Sequence, residues 1–146
     1  MTISLKFTNV TVTDVDESIA FYSGALGLAV QNDVGYGEYR WVTLGSDTQP
    51  GLGIVISVPH AGRSEADGDT MQELLTKGVL PLLVFSTDDV DALFEKVRAT
   101  GAEVLQEPMD QDWGPRDCAF RDPSGNTVRV AQADLSGRPG LTSPVS

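Results

Sequence analysis

The chain has 146 residues, 40% of them hydrophobic, with 21 acidic side chains against 10 basic ones, one cysteine and one histidine. That length allows one globular domain or two small fused modules with a real core, and no apolar run approaches the ~20 residues that a membrane-spanning helix needs. A net charge of −11 repels nucleic-acid phosphates and anionic lipid; the lone Cys118 excludes an internal disulfide, and the lone His60 leaves few imidazoles for an enzyme site of Zn, Fe, Ni or Mn.

MTISLKFTNV lacks a basic segment followed by an apolar one, so a cytoplasmic protein is expected. Val10 and Val12 alternate with Asn9 and Thr11 as in a half-buried strand. Asp14 or Asp16 then caps a helix whose Ile19, Tyr22 and Leu26 recur at helical spacing, with Gly27 as its stop. Strands at 28–31, 39–44 and 53–58 complete a βαβββ module over residues 1–60. Residues 61–78 read as a polar linker with a short helix, capped by Asp69 or Thr70 and stopped by Gly78.

A second module is expected over 79–133. The apolar VLPLLVF is its first strand, and Asp88 caps a helix with Val90, Leu93, Phe94 and Val97 on one face and a stop at Gly101. Strands follow at 103–106, 116–121 and 127–131, the last preceded by the turn DPSGN, in which Pro presets φ and Gly accepts positive φ. Residues 134–146 carry no apolar period and read as a loose tail. The two modules show directly in the sequence. At an offset of 74, NVTVTDVDESIAFYSGALGLAV lies over LVFSTDDVDALFEKVRATGAEV with identities that include Val10/Val84, Asp14/Asp88 and Gly27/Gly101. The expected fold class is α+β, two βαβββ modules that together make one domain.

The paired repeat, with DVDESIAFYSGALGL in its first half and FRDPSGN in its second, resembles the glyoxalase/bleomycin-resistance/dioxygenase superfamily, also called vicinal oxygen chelate proteins. The resemblance covers about residues 4 to 133. It implies curved mixed sheets around a cavity with helices outside, and commonly a homodimer. Enzymes of that family hold a divalent metal through His, Gln or Glu on cavity-facing strands. Carried over, those positions fall on Phe7, within 54–57, near Leu82 and on Arg129, none of which offers a usual ligand. No metal and no cofactor are therefore expected.

Strand parity supplies the candidate lining. Phe7 and Asn9 share one face of the first strand, Tyr39 and Trp41 one face of a later one, and Arg129 lies opposite Val128 and Val130. Leu82 and the loop residue Trp113, at the rim of the second module, complete the ligand-binding candidates. Aromatic walls with a few polar groups suit a flat organic molecule, and an indole face attracts a cation. Arg129 in an apolar setting must reach solvent, a carboxylate such as Glu38, or an anionic or carbonyl group of a ligand. Arg116 is expected to pair with Asp112 or Asp117. Three functions stay open: a metal-free protein that sequesters a planar or cationic antibiotic, a divergent glyoxalase- or dioxygenase-like lyase or isomerase with a different active site, and a structural or regulatory partner protein whose cavity is filled by its own side chains.

Overall fold

The structure, a computed structural model, describes residues 2–133; the expected tail over 134–146 lies outside them. Strands β1 (Phe7–Thr11), β2 (Ala29–Tyr36), β3 (Tyr39–Gly45) and β4 (Gly53–Ser57) form a sheet in the order β1-β4-β3-β2. Strands β5 (Leu83–Thr87), β6 (Glu103–Asp110), β7 (Arg116–Arg121) and β8 (Thr127–Gln132) form a second, in the order β5-β8-β7-β6. In each sheet the first strand runs parallel to the last and the other pairs are antiparallel: the helical crossover leaves the second strand in the first strand's direction, and the two antiparallel pairings that follow bring the last strand back to it. The class is α+β, as expected. By their contacts the described residues divide into two units: those up to Leu80 with Pro123–Gly125, and Pro81–Asp122 with those from Asn126 on.

Among the described residues three helices accompany the sheets. Asp14 caps α1 (Val15–Ile19) by accepting the Glu17 N–H at 2.9 Å, and Asp89 caps α3 (Val90–Ala99) by accepting the Ala92 N–H at 3.0 Å. The second cap is thus Asp89 rather than Asp88. α1 runs on into a π-helical turn, Ala20–Ala25, where the Leu26 N–H reaches back five residues to the Phe21 carbonyl at 3.0 Å. The caps Asp14 and Asp89 are 75 positions apart, whereas the positive-φ stops Gly27 and Gly101 are 74 apart. The π turn absorbs that one extra residue. The offset of 74 consequently misaligns the first strands: Val10 is buried, while Val84 is 65% exposed on the other face of its sheet.

In the expected linker, α2 (Glu65–Lys77) starts earlier than its Asp69 or Thr70 cap predicts. Ser64 is the cap, accepting the Asp67 N–H at 3.1 Å, and Gly78 closes the helix at φ 72.

Each sheet buries one face. In the first unit Val10, Val42, Leu44, Ile54 and Ile56 are buried together with Val15, Phe21, Tyr22 and Ala25 of the helical segment. In the second, Cys118, Phe120, Val128 and Val130 lie under α3, whose Val90, Phe94 and Val97 point inward, and Phe94 stacks on Phe120 at 5.5 Å. Removing such apolar surface from water supplies about 25 cal/mol per Å². The turn before β8 is tied by its own side chains: the Asp122 carboxylate accepts the Asn126 N–H at 2.8 Å and its side-chain amide at 2.9 Å. Ser124, at the turn's tip and counted with the first unit, accepts the Thr13 N–H at 2.8 Å.

One polar device occurs in both units. Arg40, on β3, grips Asp33 of β2 through Nε and Nη2 at 3.2 and 2.8 Å and reaches Asp16, in the first turn of α1, through Nη1 at 2.9 Å. Arg116, on β7, grips Asp91 in the first turn of α3 through Nε and Nη2 at 3.0 and 2.8 Å and reaches Asp110 of β6 through Nη1 at 3.5 Å. The partners of Arg116 are therefore Asp91 and Asp110 rather than Asp112 or Asp117. Hydrogen bonding from these guanidinium groups holds the Asp33 and Asp91 carboxyls below their ordinary range.

Candidate ligand-binding faces

The face of the first sheet opposite its buried valines and isoleucines carries the aromatic candidates. Val42 and Leu44 are fully buried, so pleating turns Tyr39, Trp41 and Thr43 to the other side, where Phe7, Asn9 and Val55 also lie. Asn9, Val55, Thr43 and Asn32 form one row across the four strands. Phe7 is 46% exposed, with the Lys6 ammonium 5.3 Å from its ring centre. Trp41 and Tyr39 are half-buried, and partial desolvation, with the Glu38 carboxylate beside it, raises the Tyr39 hydroxyl above its ordinary pKa.

A bulge between Val30 and Asn32 sets Gln31 apart from the ladder. Its amide lies over two residues without side chains: a Cβ at Gly45 would sit 2.5 Å from Gln31 Nε2, and one at Gly53 would sit 3.7 Å from its Oε1. Gln31 was not a sequence-based candidate, because an unpaired bulge residue has no parity to read.

In the second unit, Leu82 just before β5 and Val84 within it are 50% and 65% exposed, and Val84 pairs with Arg129, which pairs in turn with Ala119. The Arg129 side chain is 35% exposed, and its Nη1 donates to Asp117 Oδ2 at 3.1 Å and to Gln106 Oε1 at 3.2 Å. The Asp117 side chain is only 4% exposed, and its Oδ1 accepts from Gln106 Nε2 at 2.9 Å and Gln111 Nε2 at 2.8 Å. The carboxylate that answers Arg129 is thus Asp117, not Glu38. A buried carboxylate held by one guanidinium and two amides has its desolvation offset, as such a group requires. Trp113 stands half-exposed on the turn from β6 to β7, where the Gln111 N–H bonds the Pro115 carbonyl at 2.9 Å.

A divalent metal does not fit these residues. Phe7, Leu82 and Arg129 offer no ligand atoms, the 54–57 stretch adds only the Ser57 hydroxyl, and Asp117 is already engaged. Among the described residues no three His, Cys, Asp or Glu side chains gather as a metal site needs. His60 bonds Asp69 of α2 at 2.9 Å, as a surface pair. Cys118 is fully buried in β7, where desolvation and the Asp117 charge push its thiol up to about 11. Among the described residues no helix is long and apolar enough to cross a membrane.

Comparison with known proteins agrees with this architecture. The anthracycline biosynthesis protein DnrV of Streptomyces peucetius is 31% identical over 138 residues, covering 87% of this chain and 48% of DnrV, so the chain spans about half of that relative. The crystal structure of UcmS2 matches at a TM-score of 0.81 with 30% identity, covering 91% of this chain and all of UcmS2. TnmS3, an antibiotic binding protein from Streptomyces sp. CB03234, matches at a TM-score of 0.71 with 25% identity, covering 92% of this chain and 99% of TnmS3. The Glyoxalase/Bleomycin resistance protein/Dioxygenase superfamily profile matches residues 4–130, nearly the whole described chain, and the protein belongs to that superfamily.

Proposed function

We propose that this protein binds a flat, aromatic small molecule of the antibiotic class, holds it without a metal and releases it unchanged. The observation that carries the reading is the sheet face on which exposed Phe7 and Asn9 lie with half-buried Tyr39 and Trp41, and the absence, among the described residues, of a gathered set of metal-ligating side chains supports it. Aromatic side chains beside isolated polar groups give a flat ring both stacking area and orientation. Within the second unit, Leu82, Trp113 and Arg129 are candidate ligand contacts in their own right. The antibiotic-binding relative and the anthracycline-biosynthesis relative support this ligand class. The acidic surface favours a ligand with a cationic substituent and disfavours nucleic acid. Exposed Phe7 and Val84 on the edge strands β1 and β5 support a homodimer, and a reducing cytoplasm suits the single free thiol.

The test is a titration with an anthracycline, followed by tryptophan quenching and thermal melting, beside a series of divalent metals. Expected are saturable quenching, a rise in melting temperature with ligand concentration, and recovery of intact drug. Trp41→Ala weakens binding by about tenfold, roughly the 1.4 kcal/mol that loss of a stacking contact implies. Conversion of the drug to product, or a melting shift that only a metal produces, favours the divergent lyase or isomerase instead.

A further inference from the structure

Among the described residues Arg40, Arg116, Arg121 and Arg129 each use Nη1 on a side-chain oxygen, and in Arg40 and Arg116 the remaining edge is also filled. Arg40 closes its Nε and Nη2 edge on Asp33 with two bonds, and Arg116 closes the same edge on Asp91. Arg129 has Nη1 fixed by Asp117 and Gln106, but its Nε and Nη2 have no partner among the described residues. That edge is the two-pronged donor that matches a carboxylate. The anchoring is firm, since Asp117 is itself held by Gln106 and Gln111. The cross-strand neighbours Val84 and Ala119 offer no competing acceptor side chain.

We propose that the open edge of Arg129 is a recognition site for two adjacent acceptor oxygens on the ligand, a carboxylate or the paired oxygens of a hydroxyquinone, with Asp117, Gln106 and Gln111 as positioning residues. This rests on the flat-ligand reading above and adds the functional group the ring must carry. Pre-fixing Nη1 lowers the ordering cost of the two new bonds. It also explains how an acidic protein accepts an electron-rich oxygen: the overall field opposes a free anion, while the local fork rewards one delivered on an aromatic ring.

Three matched probes test it at physiological ionic strength: anthracene-2-carboxylate, anthracene-2-methanol and anthracene-2-methylammonium, each followed by its own fluorescence. The carboxylate is expected to bind wild-type protein about tenfold more tightly than the alcohol, the scale of one charge-assisted hydrogen-bonded pair. Arg129→Met abolishes that preference while the alcohol still binds. Arg129→Lys, which keeps a positive charge facing Asp117 and so guards against misfolding, reduces the preference by about threefold because a point charge replaces a fork. Equal binding of the three by wild type, or a carboxylate preference that survives Arg129→Met or is undiminished in Arg129→Lys, overturns the proposal alone. Failure of all three to bind overturns the flat-ligand reading, and the proposal with it.

Discussion

The two units use one scaffold for two surfaces. In the first sheet Ile56 stands between Val10 and Val42, and in the second Val130 stands between Phe85 and Cys118, which fixes the correspondence of positions. By that register Leu44 answers to Phe120 and Arg40 to Arg116, all serving packing or the arginine clamp at the start of the third strand. On the opposite face the correspondence breaks chemically. Trp41 answers to Asp117, Val55 to Arg129 and Asn32 to Gln106, so an aromatic surface in one unit is a charged network in the other. Residues that face the helix are constrained by close packing. Residues on the other face escape that constraint and are free to differ.

The shared core can be broken most severely. Phe120→Ala is expected to cost the second unit about 3–5 kcal/mol, since it removes a fully buried ring and its stack on Phe94. Leu44→Ala in the first unit is expected to cost about 2–5 kcal/mol for the same reason. Denaturant unfolding measures both. A loss below about 1 kcal/mol for Phe120→Ala means that the helix-facing layer does not hold the second sheet as packing density requires.

Much of this scaffold was legible in the sequence, because alternation and glycine stops are local signals. Val128 and Val130 opposite Arg129, a first cap at Asp14 or Asp16, of which Asp14 is the one used, and Gly27, Gly78 and Gly101 as stops all follow from spacing that a strand or helix imposes. The π turn was not legible. Its extra residue falls inside a helix with no gap signal, so identities on either side pulled the alignment to 74, misassigning the cap to Asp88 and setting Val84 against Val10 although the two lie on opposite faces of their sheets. The partners of Arg129 and Arg116 were missed for a different reason: Asp117 and Asp91 become neighbours only through strand register and helix placement, which lie 12 and 25 residues away in sequence. Parity could pair Phe7 with Asn9 and Tyr39 with Trp41, but only the register of β1, β4 and β3 puts the two pairs on one face.

An alkaline titration sharpens the comparison at a second position. Cys118 answers to Val42, and its thiol pKa lies near 11 in the fold against 9.0 for the unperturbed group. The unfolded chain therefore releases this proton first as pH rises, so the folded state is relatively disfavoured between about 9 and 11 and unaffected below. The loss over that window is expected to be about 1–3 kcal/mol, and Cys118→Val, which gives the second sheet the first sheet's residue, should remove it. Tyr39 contributes in the same direction and remains in both proteins, so the difference between the two melting curves isolates the thiol. Identical alkaline slopes would show that Cys118 does not hold its proton through this range.

The smallest expected effect concerns the π turn that separates the two helices. Gly24 lies within it at a backbone angle open to any residue, and a Cβ there meets nothing within 4 Å. Its counterpart helix α3 contains no glycine. If the turn is held by its neighbours, above all by the buried Phe21 and Tyr22 and the bond from Leu26 to Phe21, then glycine contributes only unfolded-state freedom. Gly24→Ala should then stabilise the protein by about 0.4–1 kcal/mol, read as a higher denaturant midpoint at unchanged slope. A destabilisation would mean instead that the extra residue is tolerated only because position 24 is glycine. The insertion would then depend on the residue inserted, and the difference between the two helices would be one of local composition rather than of packing.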